Sequence, residues 1–169
     1  MRIYEADCKR YEGGGNEPPK FQKYFRLLQE KPCYAKYILY KILYKHYRLK
    51  NMIEISENTN IGKGLYFAHA FSITINPQAI IGENVNLHKG VTIGQENRGK
   101  RKGCPTIGNC VWIGVNSTIV GKITIGDDVL IAPNTYVNCD IPSHSVVFGN
   151  PCIIKHMENA TEDYINHKV

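Results

Sequence analysis

Apolar side chains recur at every sixth position from residue 60 onward. The recurring positions hold isoleucine, leucine, valine or phenylalanine, and glycine follows half of them. They are Ile61, Phe67, Ile73, Ile81, Leu87, Ile93, Ile107, Ile113, Ile119, Ile125, Ile131 and Val137. Six residues make neither one nor two turns of an α-helix, so a helix would scatter these side chains around its circumference. The repeat therefore predicts short strands joined by corners.

Each hexad is expected to form one flat side of a three-sided coil, with its first side chain pointing inward. Stacked coils pair as parallel strands and bury a column of aliphatic side chains that no single coil could bury alone. The twelve hexads predict a mainly β fold of four coils. The six-residue spacing is interrupted twice. Two extra residues lie between Ile73 and Ile81, and a longer insertion runs from Gln95 to Thr106, which we expect to project as a loop.

Two helices are predicted ahead of the repeat, from about Pro19 to Glu30 and from Pro32 to about Leu49, where apolar residues recur at helical spacing. The chain thus divides into an N-terminal helical segment (1–50), a β-helix domain (51–154) and a C-terminal tail (155–169) that forms a short helix or frays. Lys41, Lys45 and Arg48 form a polar stripe on the second helix. Its apolar face either packs on the protein or a neighbouring subunit, or lies on a membrane surface.

Charge and composition narrow the function classes. The net charge of +6 belongs to residues 1–50, which hold 12 Lys and Arg against 5 Asp and Glu, while the remainder holds 9 against 10. No aromatic residues interleave a basic cluster in the repeat, so nucleic-acid binding is not expected. The six cysteines match no zinc-ligand spacing, and no apolar stretch is long enough to span a membrane. We expect reduced thiols and a cytoplasmic protein.

Three stretches resemble the left-handed parallel β-helix of the hexapeptide acyltransferases, most closely the serine acetyltransferase branch. They are IGKGLYFAHAFSITINPQAIIGENVNLHKGVTIG, GCPTIGNCVWIGVNSTIVGKITIGDDVLIAPNTYV and IPSHSVVFGNP, within Ile61 to Pro151. The left hand is implied by this resemblance alone, because parallel crossovers are otherwise right-handed. The resemblance also implies a homotrimer, acetyl-CoA as the donor co-substrate, and active sites in clefts between neighbouring copies.

His69 takes the place of the family's catalytic histidine. It is third in its hexad and should point outward, where an imidazole can act as general base. Glu54 matches an acidic position of the family and is expected to orient His69 or to hold an amino group. The family's acidic residue before the histidine is replaced by Ala68, and the Arg-His pair of its projecting loop by Gly103-Cys104. The acceptor is therefore left open between serine and a sugar hydroxyl.

The remaining site assignments follow the same resemblance. His88 either binds the acceptor or fills a corner, and Cys104 is placed on the acceptor side rather than as a nucleophile. The residues expected to bind acetyl-CoA either line its pantetheine arm or attract its phosphates. They are Gly114, Lys122, Ala132, Arg98, Lys100, Arg101 and Lys102. No metal is expected, since a zinc hydratase on the same prism would need three histidines around one ion.

The sequence thus predicts an acetyl-CoA-dependent O-acetyltransferase in which an acceptor hydroxyl attacks the thioester directly. The alternative is a non-catalytic trimeric scaffold that contacts a membrane or a partner through its tyrosine-rich basic helices.

Overall fold

A computed structural model describes residues 2–12 and 17–169. In that part of the chain three helices precede a β-helix: α1 (Ile3–Lys9), α2 (Lys20–Gln29) and α3 (Tyr34–Lys50). The structure places α2 and α3 within a few residues of the two predicted helices. Helix α1 was not predicted, because seven residues give too short a pattern to reveal a helical period.

Short strands form the three faces of the prism, and each face is one sheet. Sheet 1 contains β1 (Glu54–Ile55), β4 (Thr74–Ile75), β7 (Thr92–Gly94), β10 (Thr118–Val120) and β13 (Tyr136–Val137). Sheet 2 contains β2 (Asn60–Ile61), β5 (Ile80–Ile81), β8 (Thr106–Ile107) and β11 (Thr124–Ile125). Sheet 3 contains β3 (Tyr66–Ala68), β6 (Asn86–His88), β9 (Val111–Ile113), β12 (Val129–Ile131), β14 (Ser145–Phe148) and β15 (Ile153–His156). All neighbouring strands are parallel except β14 and β15. We name each corner by the sheets it joins.

The predicted inward column is present, but the predicted number of coils is wrong. All twelve repeat positions are buried, with at most 4% of their surface exposed. The prism has five turns rather than four, because three sides lie outside the twelve hexads. Ile55 belongs to a side that precedes the first hexad, and Ile141 and Val147 belong to two sides that follow the last. All three side chains are buried in the same core.

Helices α1 and α2 are fixed to the first turn of the prism by a buried polar network. The Arg26 guanidinium on α2 lies 2.7 Å from the Asp7 carboxylate on α1, and both side chains are almost fully buried. Arg26 also donates hydrogen bonds to the Ile61 and Gly62 carbonyl oxygens, at 2.7 and 2.6 Å. The Asp7 carboxylate accepts a hydrogen bond from the Leu65 backbone N–H. Every charge is therefore paired, as burial requires.

Helix α3 directs its polar stripe, and not its whole apolar face, toward the prism. Lys41 donates to the Glu57 carboxylate at 2.8 Å, and Arg48 donates to the Ile53 carbonyl oxygen. Tyr44 of α3 is buried against the prism, and its hydroxyl donates a hydrogen bond to the Ile55 carbonyl oxygen. Five other large apolar side chains of α3 remain exposed: Tyr34, Ile38, Leu39, Ile42 and Leu49. In the described ranges, no helix has both the length and the apolar character needed to cross a bilayer.

The C-terminal tail neither frays nor forms a helix. After β15 it runs back along sheet 3 toward the first turns, and we call residues 157–169 the strap. Asp128 accepts hydrogen bonds from the backbone N–H groups of Ala160 and Thr161. Farther along, Asn84 exchanges two hydrogen bonds with the backbone of Val169. The strap thus covers the outer face of sheet 3 beside the candidate site.

Candidate active site

His69 stands on a two-residue bulge at the corner between sheets 3 and 1. Strand β6 pairs with β3 so that His88 lies over Ala68, and the next regular contact joins the Gly90 N–H to the Phe71 carbonyl oxygen. This hydrogen bond sets Gly90 over Ser72, so between the paired positions the second turn uses one residue, Lys89, whereas the first turn uses three, residues 69–71. The first turn therefore has two extra residues within 69–71, which form the bulge that carries His69, and the predicted slip after Ile73 is misplaced. Ile75, not Ile73, pairs in register with Ile93.

The bulge turns the His69 side chain outward. Its backbone has φ of +53°, a left-handed conformation that histidine tolerates better than most residues, and its side chain is exposed as predicted. A regular corner follows at Ser72, also with positive φ. Because Ser72 already makes the corner, the bulge is not needed to turn the chain, and its structural effect is to display the imidazole.

A small cavity of about 200 Å³ lies against this imidazole. Tyr11, Glu17 and Pro19 line one side of it, and Tyr66 to Ala70 line the other. Tyr11 fixes its side of the cavity, since its hydroxyl accepts a hydrogen bond from the Phe67 N–H at 2.8 Å and donates to Gln22 at 2.9 Å. Glu17 therefore brings a carboxylate into the same cavity as His69.

Glu17 was missed by sequence reasoning, and within one chain Glu54 lies away from His69. Glu54 lies on sheet 1, where its carboxylate is 3.5 Å from the Thr74 hydroxyl, and it lines a different cavity of about 720 Å³ beneath α3. Among the hydrogen bonds of residues 2–12 and 17–169, none joins Glu54 to His69. The only sequence signal for Glu17 was a lone carboxylate before Pro18, which no repeat or spacing distinguished.

His88 lies one turn above the bulge, at the edge of sheet 3. Its ring centroid is 4.4 Å from that of Trp112, and Trp112 in turn packs edge-on against Tyr164 of the strap, at 5.2 Å. Burial lowers the pKa of His88 to about 4, and the nearby charge of His69 adds to this effect. His88 is therefore a neutral imidazole that adjoins His69, between the site and the strap.

Gly114 and Ala132 continue the same column of outward positions above His88. The register of β6, β9 and β12 places them over one another at the edge of sheet 3. Gly114 also has a structural reason to be glycine, because a Cβ atom there would meet the Pro133 nitrogen at 2.6 Å. Gly114 is buried and Ala132 is partly buried, and this column of small residues lies beside the corner that carries His69.

The other predicted site residues lie at a different corner, between sheets 1 and 2. The loop there is closed at its base by a bridge between Glu96 and Gly103, and the Lys122 N–H donates to the Arg101 carbonyl oxygen. Arg101 is paired with Glu96 at 3.0 Å. Exposed cations of this loop are Arg98, Lys100, Arg101 and Lys102. Within one chain these residues and His69 are separated by the width of sheet 1.

Cys104 lies at the base of the same loop. Its thiol contacts the Gln78 side chain at 3.8 Å and packs on the core, and burial raises its pKa. It therefore does not meet His69 within one chain. No group of three or more metal-ligating side chains occurs in the described part of the chain.

Comparisons with known proteins agree with this architecture. The family model for the bacterial transferase hexapeptide (six repeats) matches residues 104–139. A serine acetyltransferase of Helicobacter pylori is 35% identical over 114 residues, which is 68% of this chain and 67% of the relative. One from Staphylococcus xylosus is 34% identical over 116 residues, 69% of this chain and 54% of that protein.

Solved structures extend the likeness to the helices. The soybean serine acetyltransferase apoenzyme superposes with a TM-score of 0.73 at 26% identity, covering 91% of this chain and 69% of the soybean chain. These matches confirm the predicted fold class, a left-handed parallel β-helix with N-terminal helices. The chain therefore belongs to the serine acetyltransferase family of hexapeptide-repeat acyltransferases, and it is an O-acetyltransferase by class.

Proposed function

We propose that the protein transfers the acetyl group of acetyl-CoA to the hydroxyl of serine, with His69 as general base. The observation that carries this proposal is the bulge that displays His69 into a small cavity opposite Glu17. The relatives named serine acetyltransferases support the acceptor.

The chemistry asks for one proton transfer and accurate positioning. Acetyl-CoA, when bound, supplies the thioester carbonyl carbon that the acceptor oxygen attacks. His69 accepts the hydroxyl proton during this attack and returns a proton to the departing sulfur, so no acyl-enzyme is required. A positioned base of this kind contributes roughly 10²–10⁴-fold to the rate.

The choice of serine over a sugar follows from Glu17. A carboxylate in the acceptor cavity is a partner for an ammonium group, which serine carries and a neutral sugar lacks. We assign Glu17, rather than Glu54, to the acceptor ammonium. His88 borders the site as a neutral hydrogen-bonding group.

The donor is assigned to a cleft between two copies in a homotrimer. Gly114 and Ala132 provide a column of small residues beside His69 for the pantetheine arm. The loop cations and Lys122 would reach the coenzyme A phosphates from the neighbouring copy, because within one chain they lie at the other edge of sheet 1. The family resemblance supplies the trimer, and this separation supports it.

Steady-state assays of the full chain with acetyl-CoA and serine test the proposal. We expect His69→Ala to lower kcat by roughly 10²–10⁴-fold while the circular dichroism spectrum and oligomer mass stay unchanged. The matched control is His46→Ala, since His46 is an exposed histidine on α3. We expect Glu17→Gln to raise KM for serine more than it lowers kcat. Full activity in His69→Ala would overturn the mechanism, and thioester cleavage with a sugar but not with serine would overturn the acceptor.

A further inference from the structure

Two cysteine thiols meet at the C-terminal end of the prism. Cys139 follows β13 at the corner between sheets 1 and 2, and Cys152 lies in the turn between β14 and β15. Their Sγ atoms are 3.8 Å apart. Both side chains are partly buried and pack on the hydrophobic core, so the two thiols are held together by the packing around them. The proposed acetyl transfer uses neither thiol.

The pair differs from the other cysteines of the chain. All six cysteines are free thiols, but in the described ranges no contact joins two Sγ atoms among Cys8, Cys33, Cys104 and Cys110. A disulfide needs sulfur atoms about 2.0 Å apart with Cβ atoms that face each other. The sulfur atoms of Cys139 and Cys152 are already in contact, so only a short movement separates them from bonding distance.

We propose that Cys139 and Cys152 form a reversible intrachain disulfide by exchange with a low-molecular-weight disulfide. One protein thiolate attacks the small disulfide, which forms a mixed disulfide and releases one small thiol. The second protein thiolate then attacks the protein sulfur of the mixed disulfide and releases the other small thiol. Two protein thiols are oxidised, and one small disulfide is reduced to two thiols.

The bridge would tie the turn between β14 and β15 to the last turn of the prism. The strap follows directly after β15, so the disulfide restrains the start of the strand that leads into the strap. Closing a loop of this length restricts the unfolded chain, and we expect the melting temperature to rise by about 5 °C or more. Burial raises the pKa of the Cys139 thiol, so the exchange should accelerate as the pH rises above neutrality.

Peptide mass spectrometry tests the proposal directly. Trypsin releases residues 123–155 as one peptide, and Cys139 and Cys152 are its two cysteines. The reduced full-length protein is incubated with oxidised glutathione at pH 8.5, and remaining thiols are then blocked with iodoacetamide. We expect this peptide to lose two hydrogen atoms and to carry no alkyl group. Dithiothreitol should restore two alkylated sites.

Two single substitutions and one control separate the outcomes. Cys139→Ser and Cys152→Ser should each abolish the bridge and the rise in melting temperature, whereas Cys33→Ser, at an exposed thiol, should change neither. Glutathione retained on both cysteines without a bridge would overturn the proposal. A bridge from either cysteine to a different residue or to a second chain would overturn it equally. None of these readouts requires acetyl transfer.

Discussion

Two histidines adjoin at the edge of sheet 3 but differ in what they can do. His69 is exposed on the bulge, whereas His88 is half-buried beneath the ring of Trp112. Because burial lowers the pKa of His88 to about 4, its imidazole is neutral at physiological pH. His88 can therefore donate or accept a hydrogen bond but brings no charge to the site. The charge that would select an ammonium group comes from Glu17.

This difference predicts an acid transition in fluorescence. Trp112 is the single tryptophan, and a protonated imidazole 4.4 Å from its ring should quench it. We expect quenching with a midpoint near pH 4, and its loss in His88→Gln. The folded-state pKa lies below the ordinary value of about 6.5, so the unfolded chain binds more protons between the two values and stability should fall as the pH drops through that window.

A fluorescence titration at constant ionic strength measures the midpoint, and far-ultraviolet circular dichroism checks that the fold persists. A midpoint near pH 6.5 would contradict the burial of His88. The same quenching in His88→Gln would assign the effect to another group.

At the scale of elements, the docking of α1 and α2 depends on one buried ion pair. Removing the carboxylate of Asp7 leaves the Arg26 guanidinium without its charged partner in the interior. We expect Asp7→Ala to lower the free energy of unfolding by about 3–5 kcal/mol, because a buried charge left unpaired is costly. Urea unfolding followed by circular dichroism measures the change.

The matched control is the ion pair between Lys63 and Glu83 on the prism surface. Its charged atoms are 3.8 Å apart and both side chains are 41–49% exposed. Glu83→Ala should cost about 0–1 kcal/mol, since water screens exposed pairs. Equal costs for Glu83→Ala and Asp7→Ala would show that the network does not hold the helices on the first turn.

The sequence predicts those elements whose apolar period is long and regular. Twelve hexads and two helices meet that condition, whereas the strap is held by scattered polar residues such as Asp128 and Asn84, which leave no periodic trace. The sequence pattern places the two extra residues after Ile73 rather than before it for a related reason. Ile73 and Ile75 are both buried isoleucines, so spacing alone cannot decide which one continues the column. That decision rests on strand register, a property of the folded chain.

At the scale of the whole molecule, the candidate residues divide between two corners of the prism. His69, His88, Gly114 and Ala132 lie at one edge of sheet 1 or beside it, while the loop cations, Cys104 and Lys122 lie at the other. A flat, rigid face keeps the groups apart in one chain. They can share a site only when the loop corner of one copy adjoins the His69 corner of the next. The distance between these two corners depends on how the copies pack, which the sequence pattern does not reveal.

Subunit mixing tests this arrangement. His69→Ala removes the base from one corner, and the triple change Arg98→Ser, Lys100→Ser and Lys102→Ser removes loop cations from the other while leaving Arg101 paired with Glu96. Each variant alone should be nearly inactive at low acetyl-CoA. In the proposed trimer, a site needs an intact His69 from one copy and an intact loop from its neighbour, so in trimers that contain both variants about one third of the sites should recover. The two variants, co-expressed with different affinity tags and purified through both, are assayed at low acetyl-CoA. Activity no higher than the average of the separate variants would mean that each site is built within one chain, because such sites gain nothing from a neighbour.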